Sequence, residues 1–232
     1  MVIGRNVEVN GTTRQPQTAR VIICDDHQLA RSGLRAMLAD EPGIEVVGEA
    51  SDGLEALELC RAQDHDLVLM DVRMPKFDGL RATRMIKSEF PKTSIIIVTI
   101  YENPEYLFQA LKAGVAGYIL KDATQQQLLT AIRQVLRQEF LLNQTVMKQM
   151  LGRLANESIG QKGTAAERLT SRESVVLRLI THGLTNKEIA AELGVAVGTV
   201  KVHVEHIIAK LAVSDRTQAA VRAVELGLVS EH

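Results

Sequence analysis

Long apolar runs are missing from this chain. The longest, SIIIVTIY from Ser94 to Tyr101, falls far short of the roughly 20 residues a bilayer-spanning helix needs. No membrane partner is therefore expected. The opening stretch MVIGRNVEVNGTTRQPQTA lacks the apolar core of a secretory signal, so a polar, flexible lead and a cytoplasmic location are expected. Cysteine is scarce: Cys24 and Cys60 exclude a disulfide framework, fit no metal-ligand spacing, and are expected to be buried, reduced thiols. Neither sign of charge is in excess, with 27 Lys+Arg against 28 Asp+Glu and a net charge of −1, so net charge points to no partner. A composition of 46% hydrophobic and 24% charged residues is that of an ordinary globular protein, and 232 residues leave room for two cores.

From Arg20 onward, short apolar runs alternate with helix-period segments. VIIC (Val21 to Cys24), IEVVGEA (Ile44 to Ala50), DLVLMD (Asp66 to Asp71), SIIIVT (Ser94 to Thr99) and GYILK (Gly117 to Lys121) read as five strands. The intervening segments carry apolar residues at helical spacing. Strict alternation with fully apolar strands predicts an α/β domain, a doubly wound five-stranded parallel sheet covered on both faces, over residues 20–138. Composition then shifts to Gly, Ala and polar residues, which marks 139–168 as a partly helical linker. No strand signal follows Leu169. Four helix-like runs occupy 169–232, two of them opened by capping boxes, Thr170 with Glu173 and Thr185 with Glu188, so an all-α domain is expected there.

In a doubly wound sheet, ligands sit beyond the carboxyl ends of the strands. Five polar side chains fall at such ends here: Asp25 and Asp26, Asp71, Thr99 and Lys121. Three converging carboxylates repel one another, and a hard divalent cation, Mg²⁺ or alternatively Mn²⁺, relieves that repulsion. Lys121 and Thr99 supply a cation and a hydroxyl donor suited to a phosphoryl group. Taken in order, DDH, MDVRMPKFDG, VT and YILKD resemble the receiver domain of bacterial response regulators, which has the flavodoxin-like fold. The resemblance implies that Asp71 is the phosphoacceptor, and that Asp26, Asp71 and the Arg73 carbonyl bind the metal with Asp25 in support. It further implies that Thr99 and Lys121 hold the phosphoryl group and that Thr99 and Tyr118 form the switch. Asp122 stands where many receivers have a cis-proline, which narrows the resemblance to one subfamily. Gly79 is expected to serve a tight turn, and the bulky pair Arg73 and Tyr101 to slow hydrolysis of a phosphoaspartate.

NKEIAAELGVAVGTVKVHVEHIIAKL reads as helix, turn (Gly194 to Ala196), helix. With its flanks it resembles the four-helix DNA-binding domain of LuxR-type regulators, and the two domains together resemble NarL/FixJ response regulators. By that resemblance Lys201, Val202 and Glu205 face base edges, while Lys187, Thr199 and Lys210 contact phosphates. The core face of the same helix is expected to carry Val200, Val204, Ile207, Ile208 and Leu211. His203 and His206 are expected as surface residues rather than ligands. Ala196 stands where the family has a Ser or Thr cap. From Leu169 onward seven basic residues face seven acidic ones, so weak DNA binding by a monomer and binding as a homodimer are expected. The expected function is a transcription regulator that a histidine kinase phosphorylates, with promoter DNA as its target. Two rivals are a protein-interaction module whose helical domain does not bind DNA, and a metal-dependent hydrolase. The second lacks a separate general acid and a substrate cavity.

Overall fold

The computed structural model describes residues 18–100, 104–139 and 169–228. Residues 1–17 of the expected lead, 140–168 of the expected linker, and Tyr101 lie outside the described residues, while Ala19, counted with the lead, opens the first strand. Five strands form one parallel sheet: β1 (Ala19–Cys24), β2 (Ile44–Ala50), β3 (Leu67–Met70), β4 (Ser94–Thr99) and β5 (Gly117–Leu120), in the order β2-β1-β3-β4-β5. Between and after them run α1 (Gln28–Leu38), α2 (Gly53–Ala62), α3 (Gly79–Glu89), α4 (Pro104–Ala113) and α5 (Gln125–Leu136).

Alternation along the central strands explains the two layers of helices. Val21, Ile23, Leu67, Leu69, Ile96 and Val98 pack with Leu38 of α1 and with Leu128, Leu129, Ile132 and Val135 of α5. Ile22, Cys24, Val68, Met70, Ile95 and Ile97 join a second cluster with Leu57 of α2, Ile86 of α3 and Leu111 of α4. Both faces of β1, β3 and β4 are therefore covered, which is why these strands are apolar throughout rather than alternating. Both cysteines are buried free thiols; burial pushes Cys60 up to about 12 and Cys24 well above its ordinary value.

The second part is helical: α6 (Ser171–Thr181), α7 (Asn186–Leu193), α8 (Val197–Leu211) and α9 (Arg216–Glu225). Both expected capping boxes are formed. Gly194 closes α7 with φ 63°, in the left-handed region, and Ala196 opens α8 with no side-chain cap. Val200, Val204, Ile207 and Leu211 are buried as expected, with Ile208 partly so. Arg216 is 1% exposed, its guanidinium donating to Asn186 Oδ1 and the Leu184 carbonyl, and burial lowers its pKa to about 10. That arginine ties the start of α9 to the start of α7. Among the described residues no helix is long and apolar enough to cross a membrane.

Candidate functional site

Strand β1 lies between β2 and β3, so the chain leaves it in opposite directions and a crevice opens beyond the carboxyl ends of β1 and β3. Cys24 and Met70 are partners in the ladder, and the Asp71 N–H donates to the Cys24 carbonyl at 2.8 Å. Asp25 and Asp71 therefore emerge side by side. Lys121, delivered by β5 and held by its own N–H to the Thr99 carbonyl at 2.8 Å, reaches across to both. Its ammonium lies 2.6 Å from Asp25 Oδ2 and 2.7 Å from Asp71 Oδ2.

The pocket residues grade from buried to partly exposed. Asp25 is 1% and Asp71 5% exposed, and Thr99 is fully buried. Burial pushes the Asp71 carboxyl up, opposed by its hydrogen bond to Lys121 and by the Val72 N–H, which donates to Asp71 Oδ1 at 2.7 Å. For Lys121, burial pulls downward, but the hydrogen bonds to Asp25 and Asp71 prevail and the net shift is upward. One further oxygen matters. Asp25 Oδ2 is buried, and its contact is the Lys121 ammonium at 2.6 Å. Asp25, Asp26 and Asp71 offer carboxylate oxygens, the donor type Mg²⁺ takes, so these residue types fit that ion.

His27 was not given a role by the sequence. Its Nδ1 lies 2.9 Å from Asp26 Oδ1, and ligand atoms of Asp25, Asp26 and His27 all fall within 4.8 Å of one another. The DDH triplet was the available signal, but nothing in it says that the ring turns back. Arg73 likewise gains a partner from far along the chain: its guanidinium donates to the Tyr106 hydroxyl and lies 5.0 Å from that ring's centroid. Tyr118 is partly buried on β5.

Gly79 has a different reason from the turn expected of it. Its φ is not positive; instead, a β-carbon there would collide with the Asp71 carbonyl oxygen and lie 2.9 Å from the Asp71 carbonyl carbon. The start of α3 rests directly on the backbone of Asp71, with the Gly79 N–H donating to the Val72 carbonyl at 2.9 Å. Asp78 caps the helix through the Arg81 N–H. An open cleft of 1010 Å³ lies elsewhere, near Asp64, Phe90, Lys92 and Asp215, away from the strand ends that carry Asp71, Thr99 and Lys121. The site is assigned to the strand ends, where Asp25, Asp71 and Lys121 meet within salt-bridge distance.

In the helical part, Lys187, Thr199, Lys201, Val202 and Glu205 are all exposed, Val202 at 47%. Lys210 is not similarly open: its ammonium bonds Glu173 Oε2 at 2.6 Å. His206 lies 3.8 Å from the same carboxylate, and neither His203 nor His206 joins a metal-ligand cluster among the described residues.

The response regulator receiver domain family matches residues 21–133, and the family of bacterial regulatory proteins, luxR family, matches 167–223. An uncharacterized transcriptional regulatory protein, YhcZ of Bacillus subtilis, is 44% identical over 212 residues, covering 91% of this chain and 98% of that protein. The transcriptional regulatory protein LiaR of the same organism is 41% identical over 204 residues, covering 88% and 96%. Among solved structures, the two-component response regulator RcsB in complex with DNA aligns with a TM-score of 0.53 at 27% identity, covering 92% of this chain and all of that one.

Proposed function

Because the chain belongs to the NarL/FixJ type of two-component response regulator, a receiver domain joined to a LuxR-type DNA-binding domain, we propose that it is switched by phosphorylation of Asp71. The observation that carries this reading is the buried Asp25–Lys121–Asp71 bridge at the switch point of the sheet. A partner histidine kinase is the phosphoryl donor in this reading. A carboxylate oxygen of Asp71 forms the bond to phosphorus as the bond from phosphorus to the histidine nitrogen breaks, and the departing imidazole takes up a proton. Asp25, Asp26, Asp71 and the Arg73 carbonyl would hold Mg²⁺, or Mn²⁺ in its place. The ion's contribution is to offset charge on the transferring phosphoryl oxygens. Lys121 moves its contact from the two carboxylates to a phosphoryl oxygen, and the Thr99 hydroxyl donates to another. Tyr118 follows Thr99. Beyond transferring and hydrolysing its own phosphoryl group, the protein turns over no substrate in this reading.

The added charge, roughly −1.5 to −2, favours a second arrangement in which two chains pair. Each pair presents two copies of α8 to promoter DNA in the cytoplasm. Lys201, Val202 and Glu205 meet base edges, with Lys187 and Thr199 on phosphates. Lys210 joins them only by leaving Glu173. Selection from a random duplex library tests the reading: acetyl phosphate should make the wild type, but not Asp71→Asn, enrich a repeated half-site. Equal enrichment by both would remove phosphorylation control. A second reading, a protein-interaction module, is favoured by exposed Glu205 and by the engagement of Lys210 with Glu173. Failure to enrich any duplex in either state would select it.

A further inference from the structure

Helix α1 begins directly after the acid pair, and His27 stands at its cap position without a side-chain cap bond. The start is held instead from inside the helix. Arg31, one turn into α1, donates its own N–H to the His27 carbonyl at 3.1 Å, and its Nη1 donates back to the Asp25 carbonyl at 2.7 Å. Its Nε lies 3.5 Å from Glu49 Oε2 on β2, and Arg35 reaches the other oxygen of the same carboxylate. The Arg31 side chain is 17% exposed, against 49% for Arg35.

That geometry follows from the helix. Each Cα–Cβ bond tilts towards the helix N-terminus, so a long side chain in the first turn reaches the carbonyls just ahead of it. A cation there runs against the helix dipole, which favours negative charge at that end. Glu49 and the Asp25 carbonyl offset this. The carbonyl matters because the peptide unit between Asp25 and Asp26 is planar, so fixing its oxygen fixes the plane from which both residues leave. The Asp25 N–H already donates to the Ala50 carbonyl at 3.1 Å, and Asp25 Oδ1 accepts from the His27 N–H at 3.0 Å. Arg31 thus fixes the carbonyl side of a residue whose N–H and carboxylate are held by others.

We infer that Arg31 is a positioning residue for the metal site: it holds the Asp25–Asp26 peptide and so aims both carboxylates, without itself being a ligand. The inference rests on the Mg²⁺ site proposed above and adds a residue outside it. Removing a group that orients ligands typically costs about 10–100-fold in metal affinity. Charge alone has the opposite sign. Were Arg31 no more than a cation beside the carboxylates, its loss would tighten the binding of another cation. Were it no more than a clamp between α1 and β2, Arg35 would matter as much, since both arginines share Glu49.

Mn²⁺, titrated into the full chain without a phosphoryl donor and followed by its paramagnetic resonance signal, reads the affinity directly. Arg31→Met keeps the apolar stem and removes every donor. Its dissociation constant for Mn²⁺ should rise about ten-fold or more. Arg35→Met, which gives up the same Glu49 partner but leaves the Asp25 carbonyl bonded, should stay within about two-fold of wild type. Circular dichroism establishes that each variant is folded, and Arg31→Gln, uncharged and shorter, replaces Arg31→Met should that unfold, with the same rise expected. Binding as tight as wild type or tighter in a folded Arg31 variant, or an equal loss in Arg35→Met, overturns the inference and leaves the metal site standing. A wild type that binds no Mn²⁺, or an Asp26→Asn variant that binds it unchanged, overturns the site beneath it.

Discussion

Gly79→Ala isolates the backbone contact that places the proposed nucleophile. Glycine here is required by space and not by conformation, since its φ is not positive. At the first position of α3 alanine would otherwise favour the helix by about 1 kcal/mol. Its β-carbon, however, would collide with the Asp71 carbonyl oxygen, with the Asp71 carbonyl carbon at 2.9 Å and Met70 Cγ at 3.0 Å. Nonbonded contacts of this kind need about 3.5 Å, so the Asp71 carbonyl must retreat by on the order of 1 Å. Overpacking of that sort costs about 1–3 kcal/mol, within what a domain of about 5–15 kcal/mol can absorb. The chemistry is less tolerant. Asp71 moves with its carbonyl, away from a lysine contact of 2.7 Å, and a misplacement near 1 Å costs about 100-fold in rate. The assay is the rate of phosphorylation by acetyl phosphate with Mg²⁺, read on phosphate-affinity gels, alongside circular dichroism. A folded Gly79→Ala variant phosphorylated within a few-fold of wild type would refute the reasoning.

Three further outcomes are expected. Ala196→Ser should supply the missing cap of α8, whose residue 196 already has extended backbone at φ −70° and ψ 145°. The gain is about 1 kcal/mol, or about 4–8 °C for a domain of this size; an unchanged melting temperature would count against the cap. Glu173 is held at about 2 because burial, which raises it, is outweighed by Lys210 and by the N–H and hydroxyl of Thr170. A depressed carboxyl contributes stability above its ordinary value of 4.5. That contribution, on the order of 1 kcal/mol after solvent screening, disappears as pH falls to about 2. The stability gap between wild type and Glu173→Gln should therefore close on acidification, and a constant gap would contradict it. Finally, Arg73→Ala should shorten the life of the phosphorylated form several-fold, measured as decay of phosphoprotein after donor removal; unchanged decay would show that Arg73 does not shield the acyl phosphate.

Elements with a local cause were legible in the sequence. Full-face apolar strands, the capping boxes at Thr170 and Thr185, and the missing cap at Ala196 all depend on residues a few positions apart, and each is where the pattern places it. The pocket was legible as well, because a parallel sheet forces the ends of its strands together, and Asp25, Asp71 and Lys121 do meet. What stayed hidden depends on contacts without period or motif. Arg73 finds Tyr106 at a separation of 33 residues, and Gln218 finds Leu111 at 107. Lys210 reads as a free cation until Glu173, on another helix, is brought beside it. Gly79 was singled out for a turn when the cause is the neighbouring backbone, which only packing reveals.

The central claim, that Asp71 accepts a phosphoryl group, is tested most directly by intact-protein mass spectrometry after incubation with acetyl phosphate and Mg²⁺, followed by borohydride trapping and peptide mapping. The account predicts one phosphoryl adduct per chain, mapped to Asp71 and absent from a folded Asp71→Asn variant. No adduct on the wild type, or the same adduct on Asp71→Asn, would contradict it.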